Sequence, residues 1–283
     1  MLDIALRFPL VATIHHPITI DARLDKQHAT FRKRVTLARW YAFTRMQARV
    51  APRMPRVITA SESGRRDAIE ELGVLPRRAV VVHNGVDTDL FRPVEGRTRV
   101  PGRIVTTTSA DVPIKGLVYL IEAIAKLRTE RDVHLVVVGS PRTNGAVARA
   151  IERFDLASHV RFETNVDSLR LVELYADAQV AVVPSLYEGF SLPAAEAMSC
   201  GVPVVATTGG ALPEVVGRDG SCGLLVPPAD AGALAAAVGT LLDDPALRDR
   251  MGRAGRARVE HNFTWSETAR KTVEEYRTVM ERC

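Results

Sequence analysis

Residues 188–203 read Glu-Gly-Phe-Ser-Leu-Pro-Ala-Ala-Glu-Ala-Met-Ser-Cys-Gly-Val-Pro, and the fold prediction starts from this stretch. The apolar run before it, at residues 179–184, predicts a buried strand. Ser191 is placed to cap a helix whose first turn tolerates Pro193. A strand-to-helix junction of this kind lies at the carboxyl edge of a parallel sheet, where open α/β folds bind their ligands.

Two glutamates frame this junction. Glu188 lies in the loop before the helix and Glu196 lies early in the helix, so the two carboxylates can reach different parts of one extended ligand. A carboxylate can hold the two hydroxyls of a ribose or hexose diol. Gly189 lets the backbone approach a ligand closely, and the free N–H groups of the first helical turn bind hydroxyls or phosphate oxygens. The alternative is a pair of surface glutamates beside a helix start.

The whole chain alternates short apolar runs with helical periodicity, which is the pattern of an α/β fold with parallel sheets. The predicted strands are residues 9–14, 56–60, 79–83, 103–108, 133–139, 160–163, 179–184, 202–207 and 223–226. The predicted helices are residues 26–50, 61–73, 117–127, 146–154, 167–178, 231–242, 245–259 and 265–281, with one more beginning at Ser191. A polar segment rich in Pro and Gly at residues 92–102 predicts a linker.

These elements predict two unequal domains. Residues 1–92 carry three strands and form a partial N-terminal domain, which a linker over residues 93–102 follows. Residues 103–261 have the full set of strands and helices of a Rossmann-like domain. Residues 262–283 form a terminal helical segment.

The composition is that of a globular protein, with 46% apolar and 25% charged residues. We expect neither a membrane span nor a secretion leader. The three cysteines lack metal-ligand spacing and predict reduced thiols in a cytosolic protein. From Arg23 to Arg56 there are ten Lys or Arg and a single acid, Asp25. This segment is either a solvated helix face or a basic face for an anionic membrane surface or acceptor, whereas the 5% aromatic content argues against nucleic acid.

The opening stretch resembles the E-x7-E motif of the family 4 glycosyltransferases, whose longer pattern is E-G-F-G-L-P-x-x-E-A-M-A-C-G-x-P-V-V. This chain departs from it at Ser191, where the family has glycine, and at Ser199, where it has alanine. Other segments also resemble the family: Thr-Thr-Gly-Gly-Ala-Leu-Pro-Glu-Val-Val at 207–216, Gly-Ser-Cys-Gly-Leu-Leu-Val-Pro at 220–227, His-Asn-Gly-Val-Asp at 83–87, and Phe-Thr-Trp at 263–265. The last resembles the start of the helix that crosses back onto the N-terminal domain.

The resemblance implies a GT-B-like fold, with a complete C-terminal Rossmann-like domain and the last part of an N-terminal one. It further implies retaining transfer of a hexosyl group from a UDP- or GDP-linked sugar, with no metal or other cofactor in the site. By the same resemblance Glu196 would bind the ribose, Glu188 the sugar ring, and His15 would lie near the transferred sugar. The other donor-binding residues would be Gly189, Phe190, Ser191, Leu192, Gly139, Asn165 and Val166.

Charge on the leaving diphosphate is the main electrostatic demand of such a reaction. The family meets it with an arginine and a lysine in G-R-x4-K-G, where this chain reads Ser-Ala-Asp-Val-Pro-Ile-Lys-Gly at residues 109–116. Lys115 would supply the counter-charge, while Ala110 stands at the arginine position, unless the local alignment is shifted. Arg103 and Arg142 are candidate substitutes. A complete member also has an upstream Gly-Gly loop, which this chain lacks, so we expect a fragment or truncated chain.

Three functions remain open from the sequence. The first is a hexosyltransferase whose acceptor is a lipid-linked, glycan or small-molecule hydroxyl. The second is a nucleotide-sugar-binding module without turnover, because Ala110 and the missing glycine loop weaken the catalytic case. The third is a GT-B sugar-nucleotide epimerase, against which residues 188–203 and the terminal helix argue.

Overall fold

The computed structural model describes residues 9–27, 31–108, 112–140 and 142–281. The chain divides into two compact units, Met1–Gly85 with Trp265–Cys283, and Val86–Thr264. Residues 93–102, the predicted linker, fall inside the second unit, where Arg97 pairs with Asp177 at 2.6 Å. Within the described ranges, no helix is both long and apolar enough to cross a bilayer.

The first unit contains a three-stranded parallel sheet in the order β1-β2-β3, formed by β1 (Val11–Ile14), β2 (Arg56–Thr59) and β3 (Ala79–Val81). Its helices are α1 (Ile18–Gln27), α2 (Phe31–Trp40), α3 (Thr44–Val50), α4 (Glu62–Leu72) and the terminal helix of the chain. The Ser61 hydroxyl accepts a hydrogen bond from the Gly64 amide at 2.9 Å, so the predicted cap of α4 is confirmed.

The predicted single helix over residues 26–50 is wrong in its extent. Helix α1 begins at Ile18, directly after Pro17, whose carbonyl oxygen accepts a hydrogen bond from the Ile20 amide. Further on, a 3₁₀ turn at Tyr41–Phe43 separates α2 from α3. The Thr44 hydroxyl donates to the Tyr41 carbonyl oxygen at 2.7 Å there, which favours the tighter i to i+3 spacing of that turn.

The second unit is built on a six-stranded parallel sheet. Its strands are β4 (Arg103–Thr107), β5 (His134–Val138), β6 (Val160–Glu163), β7 (Val180–Val183), β8 (Val204–Thr207) and β9 (Gly223–Val226). Its helices are α5 (Leu117–Leu127), α6 (Ala146–Arg153), α7 (Ser168–Asp177), α8 (Leu192–Ser199), α9 (Leu212–Val216), α10 (Ala231–Asp243) and α11 (Pro245–Asn262). The terminal helix α12 (Trp265–Met280) belongs to the first unit.

The strand order of this sheet is β6-β5-β4-β7-β8-β9. The chain runs outward from β4 to β6 and then returns to the other side of β4 to form β7, so the order reverses between β4 and β7. Since all the strands are parallel, their carboxyl ends meet at one edge, and ligands of such sheets bind in the crevice at the reversal point.

Helices cover the sheet and bury its strands. Ile104, Val180, Val182 and Val205 are fully or almost fully buried among the apolar faces of α5 and α10. This explains why the strand sequences are continuous apolar runs rather than alternating ones. The helix starts follow the sequence signals: Asp167, for example, accepts from the Arg170 amide at 2.7 Å, as predicted for the cap of α7.

Candidate functional site

The loops after β4 and β7 contact each other at the reversal point through their backbones. The Leu186 amide donates to the Ile114 carbonyl oxygen at 2.7 Å. Gly116 has a φ of +65°, and a Cβ atom there would lie 2.0 Å from the Pro184 carbonyl oxygen. Only glycine fits this position, because both the conformation and the space exclude a side chain. The contact brings Lys115, which ends a 3₁₀ turn at Pro113–Lys115, beside the loop that carries Glu188.

The loop after β8 packs against the same backbone from the other side. A Cβ atom on Gly210, whose φ is +62°, would lie 2.2 Å from the Glu188 carbonyl oxygen. The Ala211 amide donates to that oxygen at 2.9 Å, and the Thr207 hydroxyl donates to the Ser185 carbonyl oxygen. The loop of Glu188 is therefore fixed between two neighbouring loops.

The Glu188 side chain is 10% exposed and has two polar partners. The Lys115 ammonium donates to its Oε1 atom at 2.8 Å, and the Ser185 hydroxyl donates to the same atom at 2.7 Å. Charged donors and acceptors make hydrogen bonds about twice as strong as neutral ones. The structure thus brings together Lys115 and Glu188, two residues to which the sequence gave separate tasks, as an ion pair.

The start of α8 is strained at Ser191. Its φ is +92° and its ψ is +81°, a region that L-residues rarely occupy, and its hydroxyl accepts from the Ala194 amide at 3.4 Å. Ser191 is the position where the family pattern has glycine, which adopts such angles at little cost. Phe190 is buried against Phe263 with the rings edge to face and 5.4 Å apart, whereas Leu192 is 39% exposed.

Glu196 lies in the second turn of α8 in a different environment. Burial raises the pKa of its carboxyl to about 7, and a hydrogen bond with the Tyr175 hydroxyl opposes that rise. Desolvation disfavours the charged form of an acid, which is why burial raises this pKa. The Tyr175 hydroxyl also lies 3.1 Å from the Thr107 hydroxyl at the carboxyl end of β4.

The other predicted site residues lie in two places. Gly139 directly follows β5, and Asn165 and Val166 follow β6, so all three lie at the same carboxyl edge as the glutamates. Asn165 has a φ of +55°, and the Gly139 amide donates to the Glu163 carbonyl oxygen at 2.9 Å. His15 lies in the first unit, directly after β1, with an exposed side chain. Ala110 lies outside the described residues.

Sequence reasoning missed three members of this site. Ser185 lies two residues after the end of β7 and three residues before Glu188, a position from which a hydroxyl can reach the carboxylate, so its spacing was a usable signal. Tyr175 and Thr107 gave no such signal, because one reads as a core residue of a helix and the other as a strand residue. Their hydroxyls meet only once α7 and β4 have packed together.

Two family models match the chain. Residues 101–244 match the model described as glycosyl transferases group 1, and residues 1–90 match the one described as glycosyltransferase family 4. The chain belongs to the group 1 glycosyltransferases. The Glu188 and Glu196 junction therefore lies in a glycosyltransferase unit.

Individual relatives agree with this family. The chain is similar to an MMP α-(1→4)-mannosyltransferase from Mycolicibacterium hassiacum, with 45% identity over 100% of this chain and 68% of the relative. It is 36% identical to a D-inositol 3-phosphate glycosyltransferase from Kineococcus radiotolerans over 80% of this chain and 58% of that protein. Both relatives are therefore longer than this chain.

A solved structure supports the fold. The sucrose-phosphate synthase of Thermosynechococcus elongatus matches with a TM-score of 0.81 and 28% identity, covering 98% of this chain and 69% of that one. The predicted GT-B-like α/β fold of this glycosyltransferase is thereby confirmed.

Proposed function

We propose that this glycosyltransferase moves a hexosyl group from a UDP- or GDP-linked sugar to an acceptor hydroxyl with retention of configuration. The observation that carries the proposal is the pair of carboxylates at the β4/β7 reversal point: the Lys115 ammonium binds Glu188, and Glu196 is half-buried on α8 with a raised pKa. The relative from Mycolicibacterium hassiacum favours mannose as the transferred sugar. The α-(1→4) linkage in the name of that relative favours a 4-hydroxyl as the acceptor, whereas the name of the relative from Kineococcus radiotolerans favours a hydroxyl of an inositol phosphate.

In this proposal the donor lies along the carboxyl edge of the sheet. Glu196 accepts hydrogen bonds from the ribose hydroxyls, and the edge formed by Gly139 and by residues 165–166 holds the base. The amides at the start of α8, from Gly189 to Leu192, bind hydroxyls of the sugar, since N–H groups there lack helical partners.

The Lys115–Glu188 pair then has two tasks. Lys115 moves toward the diphosphate and offsets the charge that grows on it, and no metal ion is needed for that purpose. Glu188, released from Lys115 and still held by Ser185, accepts hydrogen bonds from the sugar ring. Keeping the pair closed until the donor arrives avoids leaving the Glu188 carboxylate, whose side chain is 10% exposed, without a cation beside it.

The transfer itself exchanges one bond at the anomeric carbon. The bond to the diphosphate oxygen breaks and its electron pair leaves with the nucleotide diphosphate. A new bond forms to the acceptor oxygen on the same face of the ring, and the acceptor proton passes to the departing phosphate. His15 remains a candidate for a position near the transferred sugar.

A turnover assay with GDP-mannose and UDP-glucose tests this function. We expect Lys115→Ala to lower kcat by about 10²–10³, the usual cost of removing one charged stabiliser of the leaving group. Lys126→Ala, at an exposed lysine near the end of α5, is the matched control and should leave kcat unchanged. Donor binding with neither transfer nor donor hydrolysis would replace the proposal with a binding module, and C2 inversion of the free sugar nucleotide would replace it with an epimerase.

A membrane surface is a proposed further partner. Between Arg23 and Arg56, the described helices α2 and α3 expose Trp40 (73%) and Met46 (51%) beside exposed arginines. Exposed apolar side chains among cations suit the headgroup region of an anionic bilayer. Flotation with vesicles of 30% phosphatidylglycerol should therefore retain the protein, and Trp40→Ser should weaken retention. Equal retention by pure phosphatidylcholine would contradict this.

A further inference from the structure

Helix α8, which carries Glu196, contacts the two segments through which the chain enters and leaves the second unit. The entry segment is residues 86–91, and the exit segment is residues 263–264. The two segments bind each other, because the Val86 amide donates to the Phe263 carbonyl oxygen at 2.8 Å. Each of them also contacts one end of α8.

The exit segment contacts the start of α8 and the entry segment contacts its end. The Phe263 ring packs edge to face on Phe190, two residues before the helix begins, with the ring centres 5.4 Å apart. At the last residue of the helix, the Ser199 hydroxyl donates to the Phe91 carbonyl oxygen at 2.6 Å. All four residues are at most 7% exposed. Since water does not reach these groups, the polar contact is costly to leave unmade.

Arg256 joins the entry segment to the same end of α8. It projects from α11, and its Nη1 atom lies 2.7 Å from the Phe91 carbonyl oxygen and 3.0 Å from that of Thr88. The same atom lies 3.0 Å from the Ser199 carbonyl oxygen and 3.1 Å from the Ser199 hydroxyl oxygen. Nη1 carries two protons, which these acceptors share. A cationic donor thus binds a carbonyl group at the end of α8, where the helix itself supplies no partner.

Packing of α11 against the end of α8 fixes the position of Arg256. A Cβ atom on Gly252 would lie 2.2 Å from the Gly201 carbonyl oxygen, so the backbone of α11 directly contacts the loop after α8. The Nη2 atom of Arg256 also pairs with Glu260, one turn further along α11, at 2.7 Å. Both terminal nitrogens of the guanidinium are therefore bound, and the helix that carries it lies in close contact with the backbone it serves.

We propose that Ser199 and Arg256 are positioning residues of the donor site. By binding the entry segment to the end of α8, they hold Glu196 and the first-turn amides of that helix in the arrangement that binds the donor. Glu196 lies three residues before Ser199, and α8 has only eight residues, so a displacement of its end reaches the carboxylate and the first turn. The placement of the donor rests on the proposed function, whereas the contacts do not.

Two substitutions release the entry segment to different degrees. The pattern that residues 188–203 resemble has alanine where this chain has Ser199, and alanine has no hydroxyl for the Phe91 carbonyl oxygen. Ser199→Ala therefore removes that hydrogen bond and introduces a residue that favours the helix. Arg256→Met is the stronger change, because it keeps an unbranched side chain and removes the bonds to Thr88 and Phe91.

Amide hydrogen exchange, followed by mass spectrometry without nucleotide, tests whether these contacts hold α8. In Ser199→Ala we expect exchange to become several-fold faster in peptides that cover residues 86–91 and residues 192–200. Arg256→Met should accelerate it further, and if that variant does not fold, Ser199→Ala alone decides. Arg253→Met, at an exposed arginine on α11, is the matched control and should change neither peptide. Faster exchange in the entry segment with unchanged exchange in α8 would overturn the proposal.

Steady-state kinetics with GDP-mannose and UDP-glucose supplies the second readout. A displaced α8 binds the donor less well, so we expect Ser199→Ala to raise the donor KM by about threefold to tenfold, the contribution of one hydrogen bond. Arg256→Lys, which keeps a cationic donor, should recover part of the increase in KM seen in Arg256→Met.

A merely structural role predicts a different kinetic result. It would reduce the fraction of folded enzyme, which lowers kcat and leaves the donor KM unchanged, and that outcome would overturn the proposal. If the unmodified chain neither binds nor turns over either donor, the proposed function fails and the donor role of α8 fails with it. The exchange experiment then still decides whether Ser199 and Arg256 hold the helix.

Discussion

The two glutamates are eight residues apart, yet the protein treats them in opposite ways. Glu188 lies in a loop wedged between two others, and both a lysine and a serine bind its Oε1 atom. Glu196 lies on a regular helix, where burial raises the pKa of its carboxyl to about 7 and a neutral tyrosine hydroxyl is the group that opposes this rise. The Glu188 carboxylate faces the positive charge of Lys115, whereas the Glu196 carboxyl has a pKa close to neutral pH.

The difference teaches how one short stretch can serve two parts of a donor. A carboxylate that already holds a cation is suited to the region where charge moves during transfer, because Lys115 is at hand to follow that charge. A carboxylate in a dehydrated pocket is suited to neutral hydroxyls, whose bonds to it gain strength from the low dielectric. Breaking each environment separately shows whether this division holds.

The largest effect on stability should come from Gly210→Ala, which disturbs the packing of the loop that carries Glu188. The added Cβ would lie 2.2 Å from the Glu188 carbonyl oxygen, so the loop must move in addition to the cost of a positive φ. We expect a loss of about 3–4 kcal/mol in the free energy of unfolding, measured by urea denaturation. Gly220→Ala has a similar φ of +72° but nothing within 4 Å, and should lose only about 1 kcal/mol. Equal losses would show that the loops are not tightly packed.

The next prediction compares substitutions of the two glutamates, which should change the free energy of unfolding in opposite directions. The pKa of Glu196 is raised from 4.5 to about 7, so its ionisation costs stability. That cost is absent below about pH 4.5, grows up to about pH 7 and is constant above it. Glu196→Gln should therefore stabilise the protein by about 1–2 kcal/mol at pH 8 and by almost nothing at pH 4.5, after allowing for its partial exposure.

Glu188→Gln is the counterpart at the other carboxylate. It removes the anion that faces Lys115, so it should destabilise the protein at pH 8 by about 1 kcal/mol. Thermal unfolding at the two pH values measures both variants. If both substitutions shifted stability in the same direction at pH 8, the contrast between the two environments would be wrong.

The smallest effect concerns the residue between the two carboxylates. Ser191→Gly should raise the free energy of unfolding by about 0.5–1 kcal/mol, because relief of the strained φ of +92° exceeds the few tenths lost with the capping hydroxyl. Ser191→Ala keeps the strain and loses the cap, so it should lower stability by about 1 kcal/mol. Chemical denaturation of the two variants side by side checks the sign, and a destabilised Ser191→Gly would contradict the strain argument.

Much of the second unit follows from its sequence. Continuous apolar runs such as residues 135–138 mark buried parallel strands, and capping residues such as Asp167 mark helix starts. The placement of Glu188 and Glu196 at the carboxyl edge followed from their position after a strand. The contact between Lys115 and Glu188 could not be predicted from the sequence. It depends on Gly116 and Gly210, which let separate loops pack closely against each other.

The first unit was less predictable. Helical spacing of apolar residues continues over residues 26–50, and periodicity alone does not mark a 3₁₀ turn such as Tyr41–Phe43 or a helix start without a capping signal at Ile18. The place of Tyr175 at the site could not be predicted for another reason. Its sequence context is that of a core residue, and a hydroxyl that acts at a site is visible only from the groups that surround it.

The most direct test of the division between the carboxylates is calorimetry of UDP and GDP binding at pH 8 to the unmodified chain, Glu196→Ala and Glu188→Ala. Glu196→Ala should weaken binding of the bare nucleotide diphosphate by about tenfold or more, because the variant loses the charge-assisted hydrogen bonds to the ribose. Glu188→Ala should keep nearly the full affinity, because its proposed contacts are with the sugar ring. An equal loss of nucleotide affinity in both variants would contradict the account.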